Sequence, residues 1–114
     1  MDCVLKDIAK IIKAELREYD IASRYVGEEF AILLPYTRIE EAFAVAQRLR
    51  HAVETTSIDI TDEKGDCNLT VKITVSIGVY EYNKEDTPQE LYKKADNALY
   101  EAKTHGRNKV FMYQ

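Results

Sequence analysis

Tryptophan is absent from the 114 residues, and cysteine, methionine and proline each occur only twice. The two cysteines, Cys3 and Cys67, lie far apart without metal-type spacing, which argues against a disulfide scaffold and a zinc module. Free thiols in a reducing cytoplasm are the simpler reading. With four glycines and two prolines, long stretches are open to helix or strand. No apolar run approaches the ~20 residues that span a bilayer, and Met1 leads straight into an amphipathic pattern rather than a secretory signal. Excess positive charge is missing too: 16 Lys and Arg stand against 20 Asp and Glu, for a net charge of −4. That balance argues against non-specific nucleic-acid binding, although a local site can still take an anionic nucleotide. What is present is an apolar share of 46%, ordinary for one globular domain or part of one.

From Val4 to Leu16 the apolar residues Val4, Leu5, Ile8, Ile11, Ile12 and Leu16 recur at helical spacing, with Asp2 placed as an N-cap and Arg17 expected in the last turn. Ile21 to Tyr25 and Phe30 to Leu34 read as a β-hairpin around Val26, Gly27 and Glu28, with Gly27 free to take positive φ. Thr37 to Glu40 has the form of a capping box opening a helix with Ile39, Phe43, Ala46, Leu49 and Val53 on its buried face. Ile58 to Ile60 and the alternating run Leu69 to Val79 predict two strands, separated by a polar loop with Asp62, Lys64, Gly65 and Asp66. A second capping box, Thr87 to Glu90 with Pro88 inside it, opens a helix with Leu91, Ala95, Ala98, Leu99 and Ala102 buried and Gly106 at its stop. Val110 to Tyr113 is a candidate last strand. The predicted class is α/β, an α+β sandwich of ferredoxin-like type with an antiparallel-rich sheet and no opening strand.

Four segments go beyond periodicity. They are Arg24-Tyr25-Val26-Gly27-Glu28-Glu29-Phe30 with the apolar run to Pro35, Thr74-Val75-Ser76-Ile77-Gly78-Val79, Ala95-Asp96-Asn97-Ala98-Leu99-Tyr100-Glu101-Ala102-Lys103, and Gly106-Arg107-Asn108. In that order they resemble the hairpin R-Y-G-G-(D/E)-E-F, the strand T-x-S-I-G-V and the helix A-D-x-A-L-Y-x-A-K of the GGDEF family of diguanylate cyclases. The likeness covers nearly the whole chain, as the C-terminal two-thirds of the family's domain.

The resemblance implies a fold related to the nucleotide cyclases and one reaction: two GTP molecules condense to cyclic di-GMP with release of two pyrophosphates. By position, Glu28 and Glu29 correspond to the family's metal-binding and catalytic acids, holding Mg²⁺ or Mn²⁺. Gly27 corresponds to the turn that lets phosphate approach backbone, Lys103 and Arg107 to the cations on the terminal phosphates, and Asp2 to the acceptor at the guanine edge. Arg17-Glu18-Tyr19-Asp20 matches the R-x-x-D pattern of an inhibitory cyclic di-GMP site, which Arg48 completes. The resemblance further implies a cytoplasmic homodimer with a sensor or receiver domain upstream, and no nucleic-acid or membrane contact. Two departures stand out. Val26 replaces the hairpin's first glycine, and a β-branched side chain resists positive φ and crowds a phosphate. The opening strand, which in the family brings an aspartate ligand and an asparagine, has no counterpart here. The expectation is that this chain alone makes no cyclic di-GMP.

Each assignment has a structural alternative. Glu28 and Glu29 can be solvated turn charges, Lys103 and Arg17 helix-end cations, Asp2 an N-cap, and Arg48 one charge on a polar face. His51, His105, Tyr92, Tyr100 and Tyr113 read as surface or packing residues, and Asp96 as structural. Three functions follow: part of a diguanylate cyclase, a degenerate non-catalytic module that binds cyclic di-GMP at Arg17 and Asp20, or an interaction domain with no nucleotide.

Overall fold

Three amphipathic helices and six short strands make up the chain, in the order α1 (Asp2–Glu15), β1 (Ile21–Val26), β2 (Glu29–Leu33), α2 (Ile39–Thr55), β3 (Ser57–Thr61), β4 (Asn68–Lys72), β5 (Ile77–Val79), α3 (Pro88–Thr104) and β6 (Val110–Met112). The computed structural model describes residues 2–61 and 68–113; the side chains of residues 2, 3, 26, 61 and 68 stand outside that description. The polar loop expected at Asp62, Lys64, Gly65 and Asp66 lies outside it too, as does Cys67.

On α1 the i, i+4 series Val4, Ile8 and Ile12 is buried, and it meets Leu49 of α2 and Ile58 of β3 in one core cluster. Partly buried Phe30 and Ile32 of β2 pack on the same cluster. Val53 and Ile58 are fully buried, so they anchor the interior. A second cluster joins Ala46 of α2 to Val79 of β5 and Val110 of β6. Helix α3 covers β5 and β6 with its small residues Ala98 and Ala102, both buried. Small residues let the helix sit close. At Gly78 a Cβ would run into the carbonyl oxygen of Ala95 and the backbone nitrogen of Leu99, so no side chain fits there.

The predicted α/β class and its mostly antiparallel pairing hold, but the pairing is divided among three two-stranded sheets. β1 pairs β2 and β3 pairs β4 antiparallel, while β5 pairs β6 parallel. The run Leu69 to Val79, expected as one strand, is instead two. Its first part follows β3 as far as Lys72 opposite Ser57, and its second leaves for β6 at Ile77 opposite Val110. The alternation survives the break because Val71, Ile73 and Ile77 all face the same core. Periodicity reports the face, not the partner.

Two further expectations need correction. Helix α1 ends at Glu15, with Lys13 as the basic residue of its last turn, so Arg17 lies beyond the helix. The Leu16 amide closes onto the Lys13 carbonyl at 3.3 Å and the chain turns away. The capping box at Thr37 does not form: Arg38 is the N-cap of α2 and provides no side-chain bond. The Thr37 hydroxyl is engaged elsewhere, and Glu81 caps the helix from a distance by accepting from the Ile39 amide at 2.7 Å. The second box forms as expected, with the Glu90 amide donating to Thr87 Oγ1 and the Thr87 amide to Glu90 Oε1.

The segment between β5 and α3 is pinned by a polar knot. Lys94 Nζ donates to Asp86 Oδ1 at 2.7 Å, and Tyr80 Oη to Asp86 Oδ2 at 2.6 Å. Bonds from Lys94 and Tyr80 hold the Asp86 carboxyl down at about 2, and the bond to Asp86, followed by that to Tyr80, raises the Lys94 ammonium above its usual value. Tyr113 closes the knot, edge-on to Tyr80 at 5.3 Å.

Candidate functional site

Most of the sequence-selected residues fall into two regions. The first is the β1–β2 hairpin. Val26 pairs with Glu29, leaving Gly27 and Glu28 as a two-residue turn. Gly27 has φ of 55°, and Glu28 is not among the residues of positive φ. That is the pattern of a type II′ turn, which wants glycine at its first central position. Its chain neighbours aside, nothing lies within 4 Å of where a Gly27 Cβ would stand, so no other part of the described chain covers the backbone there. Arg24 Nε steadies the turn by donating to the Gly27 carbonyl at 2.7 Å.

A register shift between Arg24 and Val26 leaves Tyr25 without a cross-strand partner. Such a bulge re-aims the extra side chain. Tyr25 stacks on Tyr92 of α3, with centroids 4.6 Å apart and planes 23° from parallel. The Tyr92 hydroxyl donates a long bond of 3.3 Å to Glu29 Oε1. Partial burial, followed by the charges of Asp96 and Glu29, raises the Tyr92 phenol above its ordinary value. Glu28 is exposed and Glu29 half-buried. Tyr92 thus packs, as expected, but on a candidate catalytic acid.

No group of three or more His, Cys, Asp or Glu able to hold a metal occurs among the described residues. Two adjacent carboxylates are hard oxygen donors suited to Mg²⁺, which is commonly held by one or two carboxylates with nucleotide phosphates and water filling the octahedron. The pair therefore fits a nucleotide-borne Mg²⁺ and not a free-standing ion.

Lys103 and Arg107 lie at the far end of α3. Tyr92 and Lys103 are eleven residues apart on one helix, about 16 Å along its axis. The structure therefore sets Glu29 against the first half of α3, at Tyr92, and the cations at its end. It does not bring them into contact. Lys103 is half-buried and Arg107 exposed, and neither side chain has an ion pair among the described residues. Arg107 and Asn108 both have positive φ, 62° and 51°, a conformation rare outside glycine. Asn108 holds it. Its amide nitrogen donates to Glu54 Oε2 at 2.5 Å, its oxygen accepts from Arg50 at 3.1 Å, and its backbone N–H reaches Ser76 Oγ at 3.2 Å. The Asn108 side-chain bond is the leading reason the Glu54 carboxyl lies below its usual range. The motif Gly106-Arg107-Asn108 marked this residue, but its structural task could not be read from spacing.

The second region is the turn after α1. Arg17 grips Asp20 with two parallel bonds, Nε to Oδ2 and Nη2 to Oδ1, both 3.1 Å, and the Arg17 backbone N–H adds a third at 2.8 Å. The Asp20 side chain is 2% exposed. The guanidinium bond lowers its carboxyl below the usual range and raises Arg17. The remaining proton of Arg17 Nη2 goes to Thr37 Oγ1 at 2.6 Å, and Thr37 passes its own to the Pro35 carbonyl at 2.9 Å. This relay is what takes Thr37 from the cap of α2. Tyr19 lies under the guanidinium at 4.7 Å. A cavity of about 270 Å³ opens above, lined by Glu15, Arg17, Asp20, Thr37, Glu41 and Arg48 with Ala44 and Val45. Arg17, Asp20 and Arg48 are therefore brought together. Glu15 and Thr37 were missed by motif reading, because their contacts join separate elements.

Asp2 begins α1, and its side chain, like that of Val26, lies outside the described residues. His51 and His105 are exposed as expected. Tyr100, expected to pack, is 66% exposed. Asp96 has no hydrogen bond or ion pair among the described residues.

Comparison with known proteins places these motifs in context. Residues 1–109 match the family model described as the diguanylate cyclase GGDEF domain. Diguanylate cyclase A of Treponema denticola is 44% identical over 110 residues, 96% of this chain but 28% of that protein. Among solved structures, diguanylate cyclase SiaD of Pseudomonas aeruginosa, determined in complex with its activator SiaC, superposes with a TM-score of 0.86 at 39% identity, covering 97% of this chain and 40% of that one. The GGDEF domain of DgcB from Caulobacter crescentus, in complex with c-di-GMP, gives 0.85 at 28% identity, covering 98% and 64%. The chain thus spans just over a quarter of the length of the first of these relatives.

Proposed function

This chain belongs to the diguanylate cyclase GGDEF domain family, and we propose that it is the C-terminal part, residues 1–114, of a domain that condenses two GTP into cyclic di-GMP in a cytoplasmic, homodimeric parent protein carrying an upstream sensor or receiver domain. The observation that carries the reading is the hairpin: a positive-φ glycine in open space, followed at once by two acids. Phosphate approaches the Gly27 backbone, which carries no side chain of its own. Glu28 and Glu29 hold the nucleotide's Mg²⁺, or Mn²⁺ in its place, and Glu29 also faces the attacking hydroxyl. Bound metal screens the triphosphate and acidifies that hydroxyl. Each 3′-oxygen attacks the other nucleotide's α-phosphorus, forming a P–O bond as the bond to pyrophosphate breaks. Lys103 and Arg107, at the opposite end of α3, take the charge of the departing pyrophosphate, and Asp2 accepts from the guanine edge.

By itself the chain turns over no GTP on this reading, since two carboxylates do not complete a metal site and a valine, Val26, stands where the family's hairpin has its first glycine. Chromatography of GTP incubated with Mg²⁺ tests both halves: cyclic di-GMP is expected from the full-length parent and none from residues 1–114. Product from the isolated chain overturns the second half. A silent parent overturns the first.

A second reading is favoured by the cavity of about 270 Å³ that unites Arg17, Asp20 and Arg48. On it, the chain is a non-catalytic module whose ligand is cyclic di-GMP, held through phosphate and guanine by the two arginines.

A further inference from the structure

The cavity beside Arg17 is short of free positive charge. Glu15, Asp20 and Glu41 line it against Arg17 and Arg48 alone. Asp20 is already matched to Arg17. Arg48 is also engaged, its Nε 3.6 Å from Glu15 Oε2, with side chains 58% and 31% exposed. Glu15 is the last residue of α1, so its carboxylate sits at the negative end of that helix dipole, where a cation is the favourable neighbour. Arg48 supplies one.

The consequences for the two arginines differ. On Arg17 the bonds to Asp20 and Thr37 use Nε and Nη2, leaving both protons of Nη1 to meet a ligand with the internal pair intact. On Arg48 the engaged atom belongs to a loose, part-exposed pair, so a phosphodiester that reaches the guanidinium shares it with the Glu15 carboxylate 3.6 Å away.

We propose that Glu15 is an internal competitor for Arg48, an affinity-limiting carboxylate whose charge opposes a phosphodiester ligand at that guanidinium. The proposal rests on the reading that this cavity takes cyclic di-GMP. Removing the charge at Glu15 strengthens binding, and does so through Arg48.

Calorimetry with cyclic di-GMP on residues 1–114 tests this in wild type, Glu15→Gln, Glu41→Gln, Arg48→Ala and the Glu15→Gln/Arg48→Ala double variant, with thermal unfolding to check that each folds. Glu15→Gln is expected to tighten binding by about threefold or more, the scale of a part-exposed ion pair. That gain is expected to vanish in the Arg48→Ala background, and Glu41→Gln to give a smaller one. Binding by wild type that Glu15→Gln leaves unchanged or weakens overturns the competitor and spares the cavity reading. An equal gain from Glu41→Gln, or one that persists without Arg48, overturns it in favour of general charge. Silence of both wild type and Glu15→Gln overturns the competitor and the cavity reading together. Binding that appears only in Glu15→Gln supports both.

Discussion

The turn after α1 and the β1–β2 hairpin carry the chain's two candidate sites, and they are built in opposite ways. At the first, Arg17, Asp20 and Thr37 are locked by four hydrogen bonds before any ligand arrives. At the second, Glu28 stands on an exposed two-residue turn and Glu29 begins β2, where a single long side-chain bond, from Tyr92, holds it among the described residues. Preorganised donors bind without paying for their own ordering. On the proposed reading the hairpin acids are ordered by the metal and nucleotide they take, so their geometry depends on groups from outside the hairpin. On that reading a preformed binding cluster and a metal site that forms only with its ligand stand side by side in one chain.

The largest effect that would sharpen this contrast is Arg17→Ala. It removes the outward guanidinium edge and strands the Asp20 carboxylate, whose side chain is 2% exposed. Affinity for cyclic di-GMP should fall by about 100-fold, the scale for truncating a paired charge at a binding site. Calorimetry reads it. A change below about threefold would mean that the preformed cluster does not take the ligand, and the contrast between the sites would dissolve.

Much of the cluster and of the hairpin could be read from the chain, because both are local. Gly27 announces a positive-φ turn by its residue type, and Arg17 and Asp20 are neighbours by three positions. Contacts that join distant elements could not be read: Tyr92 to Glu29, Arg48 to Glu15 and Asn108 to Glu54 each depend on how helices are laid on strands. The split of Leu69 to Val79 into β4 and β5 was hidden for the same reason, since alternation marks a buried face and is silent on which strand it pairs. Position along α3 was partly legible. Lys103 falls in its last turn as expected, but only the fold shows Glu29 against the first half of that helix.

A smaller effect separates both sites from the scaffold beneath them. Asp86 has its carboxyl held at about 2 in the fold, against 3.8 for the free side chain. A depressed carboxyl contributes stability that is fully present above the unfolded value and is lost as pH falls through the folded one. Unfolding midpoints should therefore drop between about pH 4 and pH 2, and Asp86→Asn should flatten part of that slope. Asp20, also depressed, adds a drop of the same sign, so Asp20→Asn should flatten another part. If neither variant alters the acid limb measured by thermal melts, neither carboxylate is gripped as described. The cluster would then be no more ordered than the hairpin.

The smallest expected effect compares two threonines that look alike in sequence. Thr87 and Thr37 each stand three residues before a glutamate at a helix start, yet only Thr87 caps. Thr87→Ala should lose about 1 kcal/mol in denaturant melts, the common value for an N-cap. Thr37→Ala removes no cap, because Glu81 bonds the Ile39 amide and Arg17 has claimed the hydroxyl. It should cost less stability than Thr87→Ala and instead weaken cyclic di-GMP binding by about threefold, through a less firmly held Arg17. The opposite pattern, with Thr37→Ala destabilising and binding untouched, would restore Thr37 to the helix and leave Arg17 held by Asp20 alone. Identical local signals part ways here because a charged donor twenty residues back reaches one hydroxyl and not the other.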